Sequence, residues 1–264
     1  MVVQEKVTAT GKPATGGVIL RKSVQIVGEL LITAGIVLLL FVAWQLWWTN
    51  VESDAKQSAA VKDFARDLAG PVTPAPSTTG GTATAGPKDY GAPVAGEAPG
   101  HGGTIGIMYI PRFGETYTRP IVEGTSADVL DTLGLGHYGN TSMPGAVGNF
   151  AVAGHRQTHG AVLDNIHTLV PGDKIYVQTR DGYYVYVFRN NRIVLPTEAE
   201  VLLPVPNQPG VRPTERLLTM TSCNPRFGSE ERIIAYSVLD HWQPASAGPP
   251  AEIAAQVARA RGEG

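Results

Sequence analysis

The sequence predicts an all-β domain, a barrel or a sandwich, carried behind one N-terminal transmembrane helix. Three observations predict it. Residues 24–48 form a long apolar run, residues 70–103 are a Pro, Gly, Thr and Ala stretch with few large apolar side chains, and from Thr104 onward short Val-, Ile- and Tyr-rich runs alternate with turn residues.

Residues 1–23 are polar, with Lys6, Lys12, Arg21 and Lys22 against Glu5 alone. Then VQIVGELLITAGIVLLLFVAWQLWW runs from Val24 to Trp48 with one charge, Glu29. At ~1.5 Å per residue it is long enough to cross a ~30 Å hydrocarbon core. It exceeds the ~7–15 residue apolar region of a cleavable signal peptide, and no small-residue cleavage site follows. Trp44, Trp47 and Trp48 fit an aromatic belt. The bases before the span, against Glu52 and Asp54 after it, predict a cytoplasmic N-terminus and an extracellular remainder. Glu29 lies less than two turns from the basic end, where it can reach the interface or protonate.

Residues 49–103 form an extracellular linker. The stretch 51–69 reads as a short polar helix, and the remainder reads as disordered, with a root-mean-square span of roughly 30–35 Å. The domain proper, 104–243, holds the runs IGIMYIP, YTRPIVEG, NFAVAGH, DKIYVQT, GYYVYVFRNNRIVL, RLLTMTSC and RIIAYSVLDHW, all strand-like. SADVLDTL and GAVLDNIHTL read as short connecting helices. Closure into a barrel is the usual way to remove exposed sheet edges. The tail 244–264 lacks a core pattern and is expected to be disordered or weakly helical.

Composition narrows the function. The chain has 264 residues, 43% hydrophobic and 17% charged, which is ordinary for a globular protein. Its net charge is −2 and its basic residues are scattered, so nucleic acid is not an expected partner. One cysteine excludes a disulfide framework and a Cys-rich metal site. A buried structural thiol, an intermolecular bridge or a reactive nucleophile remain.

That cysteine, Cys223, ends the run RLLTMTSC, and a polar turn then leads to a strand opening at Arg232. A hairpin would set Cys223 beside Arg232, where a cation lowers a thiol pKa and can hold a developing oxyanion. Arg226, inside the turn, is expected to point to solvent. Among His101, His137, His155, His159, His167 and His241, the best-placed proton partner is His155, which closes the strand NFAVAGH ahead of a polar loop. His159 and His167 are not expected to be essential.

AVAGHR around His155, LTMTSC ending at Cys223 and RIIAYSV after Glu231 resemble the His, Cys and Arg motifs of sortases, the membrane-anchored cysteine transpeptidases of Gram-positive bacteria. GHYGNTSMPGAVGNFAVAGHRQTHG together with CNPRFGSEERIIAY is similar to class E sortases of actinobacteria. The resemblance covers roughly residues 104–242. It implies a closed eight-stranded β-barrel in which Cys223 attacks the Thr-Gly bond of an LPxTG- or LAxTG-like sorting signal. His155 would act as acid and base, and Arg232 would hold substrate and oxyanion. The implied partners are surface proteins bearing the signal and a peptidoglycan precursor amine, at the cell membrane, with no metal or organic cofactor. The family's Thr-Leu-x-Thr-Cys stands here as Thr219-Met220-Thr221-Ser222-Cys223. Thr221 and Ser222 are expected to contact substrate, and the departure bears on how substrate is positioned.

Two rival readings fit the motifs less well. An L,D-transpeptidase would carry Ser-x-Gly-Cys with a basic residue two positions later, whereas Asn224-Pro225 follows the thiol here. A catalytically silent anchored binding domain would have no need of the Cys, His and Arg set.

Overall fold

The computed structural model describes residues 15–68 and 88–263. Residues 1–14 of the predicted tail, with Lys6 and Lys12, the linker segment 69–87 and Gly264 lie outside the described residues. Two compact units divide between Trp47 and Trp48, and a helix, α1 (Thr15–Leu68), contributes to both.

In the first unit, α1 carries a stretch long and apolar enough to cross a membrane. Leu30, Leu31 and Leu39 are each more than 60% exposed, and successive apolar side chains cover every side of the helix. The sequence predicts a span ending at Trp48 and a separate helix over 51–69, but α1 runs through to Leu68. No Gly or Pro interrupts residues 36–69, and good helix formers such as Ala, Lys, Gln and Glu fill the polar end. Gly70-Pro71 follows, a common helix stop.

In the second unit, eight strands close into a barrel in the order β1-β2-β3-β4-β7-β8-β6-β5. They are β1 (Thr104–Tyr109), β2 (Thr118–Glu123), β3 (Leu135–His137), β4 (Gly148–Ala153), β5 (Lys174–Gln178), β6 (Gly182–Val194), β7 (Arg216–Asn224) and β8 (Glu231–Pro244). Seven match the apolar runs. The eighth, β3, is a three-residue strand with a central glycine, too short to show a period, and it bridges β2 and β4. SADVLDTL yields a four-residue helix, α2 (Ala127–Leu130), and GAVLDNIHTL tightens to a 3-10 turn over Asp164–Thr168.

Alternation along the strands sends one set of side chains inward. Met108, Ile121, Phe150, Val152, Tyr186, Leu218, Met220 and Ala235 meet in a common core. On the outside, Ile107, Tyr109, Tyr176, Tyr183 and Val185 would leave an apolar face exposed. Val61, Phe64 and Ala65 of α1, together with Ile253, Val257 and Ala260 of the tail, cover it. The tail is therefore ordered, its helix α3 running over Ala254–Arg261.

Two predicted boundaries are corrected accordingly. The compact unit begins at Trp48 and includes the tail, where the sequence predicts a domain of 104–243. Residues 88–103, expected to be disordered, are tied to the barrel through main-chain groups. Trp242 Nε1–H donates to Gly91 O at 2.8 Å, Tyr184 OH donates to Val94 O at 2.5 Å, and Gly102 N–H donates to Glu123 O at 2.9 Å. Such bonds need no apolar side chain in the linker, so its composition carries no sign of them.

Candidate active site

Two strand pairings bring the chemistry to one rim of the barrel. β4 and β7 run parallel, Ala153 opposite Thr221, and the ladder continues one step with Gly154 N–H donating to Thr221 O at 3.1 Å. Ser222 Oγ–H donates back to Gly154 O at 2.7 Å. His155 and Cys223 are therefore the next residues on adjacent strand ends. β7 and β8 pair antiparallel with Cys223 directly opposite Arg232, the register the sequence predicts.

Cys223 is free and partly buried. With His155, Arg156, Gln157, Thr158, Phe227, Gly228 and Ser229 it lines a cleft of about 280 Å³. Phe227, beside the thiol, is 85% exposed. His155 Nε2 lies 2.7 Å from Asp131 Oδ1. A carboxylate only accepts, so Nε2 carries the proton and the neutral ring keeps its lone pair on Nδ1. Asp131 thus fixes ring orientation and tautomer, the task of the third member in a nucleophile–base–orienter set. Asp131 caps α2 from a segment with no local signal for this role, and sequence reasoning missed it.

Arg156 was missed as well, although it adjoins His155. It is buried, and Nη1 donates to Cys223 O at 3.1 Å and to Asn224 Oδ1 at 2.6 Å. Burial lowers its pKa from the ordinary guanidinium value, while Asp164 and the Cys223 sulfur act in the opposite direction. It clamps the main chain that carries the thiol.

The predicted residues divide. His155 and Cys223 share the cleft, and Arg232 flanks it through the register. Arg232 Nη1 donates to Ser229 O and Glu231 O at 2.9 and 2.8 Å. Glu230 and Glu231 serve other donors, Ser229 N–H and Asn224 Nδ2. Thr221 and Ser222, expected to contact substrate, are buried and committed elsewhere: Thr221 Oγ1 lies 3.0 Å from Tyr138 OH, and Ser222 holds Gly154. They build the rim and do not line the cleft. Arg226, expected to point to solvent, forms a two-pronged pair with Asp164 at 2.7 and 2.5 Å, because the turn folds back over the 3-10 segment.

The remaining histidines also separate. His137 is buried against Glu123, and His101, His167 and His241 hydrogen-bond to Asp128, Asp164 O and Asp240. The His159 ring lies tilted against that of His155, with centroids 5.1 Å apart. Asp131, His155 and His159 offer one donor atom each within 4.8 Å of one another, a two-His, one-carboxylate set that could hold a metal ion.

Known proteins resemble the chain in both sequence and fold. A family model described as the sortase domain matches residues 108–240, half of the chain. Sortase SrtE1 of Streptomyces coelicolor is 37% identical over 231 residues, 85% of this chain and 59% of that protein. Sortase SrtE2 of the same organism is 33% identical over 236 residues, 84% of each. The chain therefore spans less than two thirds of the first relative's length. The crystal structure of sortase E1 from S. coelicolor with a tripeptide in the active site superposes with a TM-score of 0.53 at 38% identity, covering 60% of this chain and 99% of that one. The matched segment contains β4, β7 and the Cys223–Arg232 hairpin, and the chain belongs to the sortase family.

Proposed function

We propose that the chain is a membrane-anchored cysteine transpeptidase acting on an LPxTG- or LAxTG-like sorting signal. The observation that carries this reading is the shared cleft of Cys223 and His155, with Asp131 on the far nitrogen of the imidazole. The tripeptide in the active site of the S. coelicolor enzyme supports a peptide substrate.

The steps follow from the groups present. Nδ1 of His155 takes the Cys223 thiol proton, and the resulting thiolate attacks the Thr carbonyl carbon while the electron pair of the C=O π bond moves to oxygen. Arg232 has spent Nη1 on two carbonyls, and its Nε–H and Nη2 donors are available to that oxyanion. Collapse breaks the C–N bond, the imidazolium of His155 protonates the departing Gly amine, and a thioester to Cys223 remains. An incoming amine, from a peptidoglycan precursor, gives a proton to His155 and attacks the thioester. A new amide forms and the thiolate returns. Residues 24–48 would anchor the enzyme with its N-terminus in the cytoplasm, and protease added to intact protoplasts is expected to remove the domain while sparing that tail.

The test incubates the full chain in detergent with LPxTG and LAxTG peptides and an amine nucleophile, with products identified by mass. A thioester adduct and a transpeptidated product are expected from the parent. Both should be absent from Cys223→Ala, which loses a chemical group and keeps the fold. A Cys223→Ala variant that still joins peptides would refute the assignment.

A further inference from the structure

The helical segment that follows the apolar stretch of α1 reaches the acid–base pair. Residues from Trp48 onward belong to the same compact unit as the barrel. Asn50, Ser53 and Gln57 are spaced three and four apart, so they share one face of the helix. Asn50 Nδ2 donates to Gln157 O at 3.3 Å, and Asn50 Oδ1 accepts from Gly160 N–H at 2.9 Å. Gln57 Nε2 donates to His159 O at 3.0 Å. Ser53 Oγ–H donates to Asp131 O at 2.8 Å. One turn over, Asp54 pairs with Arg119 at 3.1 Å, and Arg119 donates to Gly160 O at 3.3 Å.

These contacts have a common target. They meet the loop that begins at His155, or the residue whose carboxylate holds His155. The loop needs outside support, since His159 (φ 53°) and Gly160 (φ 85°) both take left-handed backbone and no strand ladder holds residues 157–160. A Cβ at Gly160 would stand 2.8 Å from Gln57 Nε2, so the loop closes directly on that amide. Ser53 and Gln57 are buried, which makes their hydrogen bonds costly to lose. Adhesion comes from elsewhere on the helix, where Val61, Phe64 and Ala65 bury against the barrel wall. Apolar docking thus holds the helix, and the polar face works on the loop.

We infer that Asn50, Ser53 and Gln57 are positioning residues for the His155–Asp131 pair, so that the segment following the apolar span is part of the catalytic apparatus. The inference rests on His155 being the acid–base of the proposed reaction. It fixes two parts of the pair from one helix: Ser53 grips the main chain of Asp131, and Asn50 and Gln57 grip the loop after His155. Sub-ångström freedom in either part would misdirect Nδ1, because proton transfer depends steeply on geometry.

The test measures kcat and KM of the full chain in detergent for the parent, Gln57→Met, the Asn50→Ala/Gln57→Met pair, Val257→Ala and His155→Ala. Gln57→Met keeps the volume and removes the donor. Val257→Ala softens the docked face against α3 and touches nothing at the rim. The double variant is expected to lose about tenfold in kcat with KM within about twofold, and the 15N signals of the His155 ring should lose the single-tautomer pattern. Val257→Ala should lower the melting temperature without either change. Unaltered kcat and ring signals in a folded Gln57→Met and double variant, beside an inactive His155→Ala, would overturn the inference alone. A loss of kcat shared equally by Val257→Ala would also overturn it. Activity retained in His155→Ala would remove the underlying reading, and the inference with it.

Discussion

At the scale of single residues, the arginines around the thiol differ in what already occupies them. Arg226 is spent on Asp164 through two hydrogen bonds, Arg156 is buried on the Cys223 carbonyl and the Asn224 side chain, and Arg232 uses one nitrogen on carbonyls and keeps the rest of its fork. Among these three, Arg232 alone combines unspent donors, Nε–H and Nη2, with a position opposite Cys223. Removing one oxyanion donor costs on the order of 100- to 1,000-fold in turnover, so Arg232→Ala is expected to fall at least that far. Arg232→Lys should also lose much of the rate, since an ammonium cannot reproduce the fork. Arg226→Ala should stay within about tenfold of the parent. Steady-state kinetics on the three variants check the order, and a reversed order would move the oxyanion role to Arg226. Cys223, His155 and Arg232 were legible because each sits where an apolar run meets a polar turn. Asp131 was not, because it reaches His155 from another connection 24 residues away, and no local pattern marks it.

At the scale of elements, the parallel β4–β7 pairing decides whether the proposed base and nucleophile meet. The last steps of its ladder are held by Ser222, whose hydroxyl grips the carbonyl just before His155. Ser222→Ala should therefore cost about 1–2 kcal/mol of stability, the usual cost of a buried carbonyl losing its donor. Turnover should fall with KM nearly unchanged, because the hydroxyl acts on the protein and not on the peptide. Chemical unfolding with parallel kinetics checks both. A raised KM at full stability would return Ser222 to the substrate. Strands were legible where a short run rich in apolar residues was bounded by turn residues. β3 was lost because three residues cannot display alternation, and its existence depends on the neighbours it joins.

At the scale of the whole molecule, the barrel is not the whole of the second unit, because its outer wall is finished by segments from both ends of the chain. Their stripes were present in the sequence: Val61, Phe64, Ala65 and Leu68 recur at helical spacing, as do Ile253, Val257 and Ala260. Neither stripe shows its partner, since a docking face lies on strands that already read as complete. Closure was likewise available only through the family resemblance, because alternating runs fit a sandwich equally well. Removing residues 249–264 would uncover the part of the Tyr109, Tyr176 and Tyr183 face that α1 does not cover and take away the buried Ile253 and Val257. At about 1.5–3 kcal/mol for each fully buried Ile or Val, the loss is expected to be roughly 3–6 kcal/mol, an upper range because the unfolded chain already hides some of this surface. The tail covers the wall and has no place in the Cys223 cleft. The truncated chain should therefore melt at a lower temperature yet form the Cys223 thioester at nearly the parental rate where it remains folded. Melting curves and single-turnover acylation check the two halves separately. Equal melting temperatures would mean that α3 contributes little to the wall, and slowed acylation in a folded truncation would mean that the wall transmits strain to the rim.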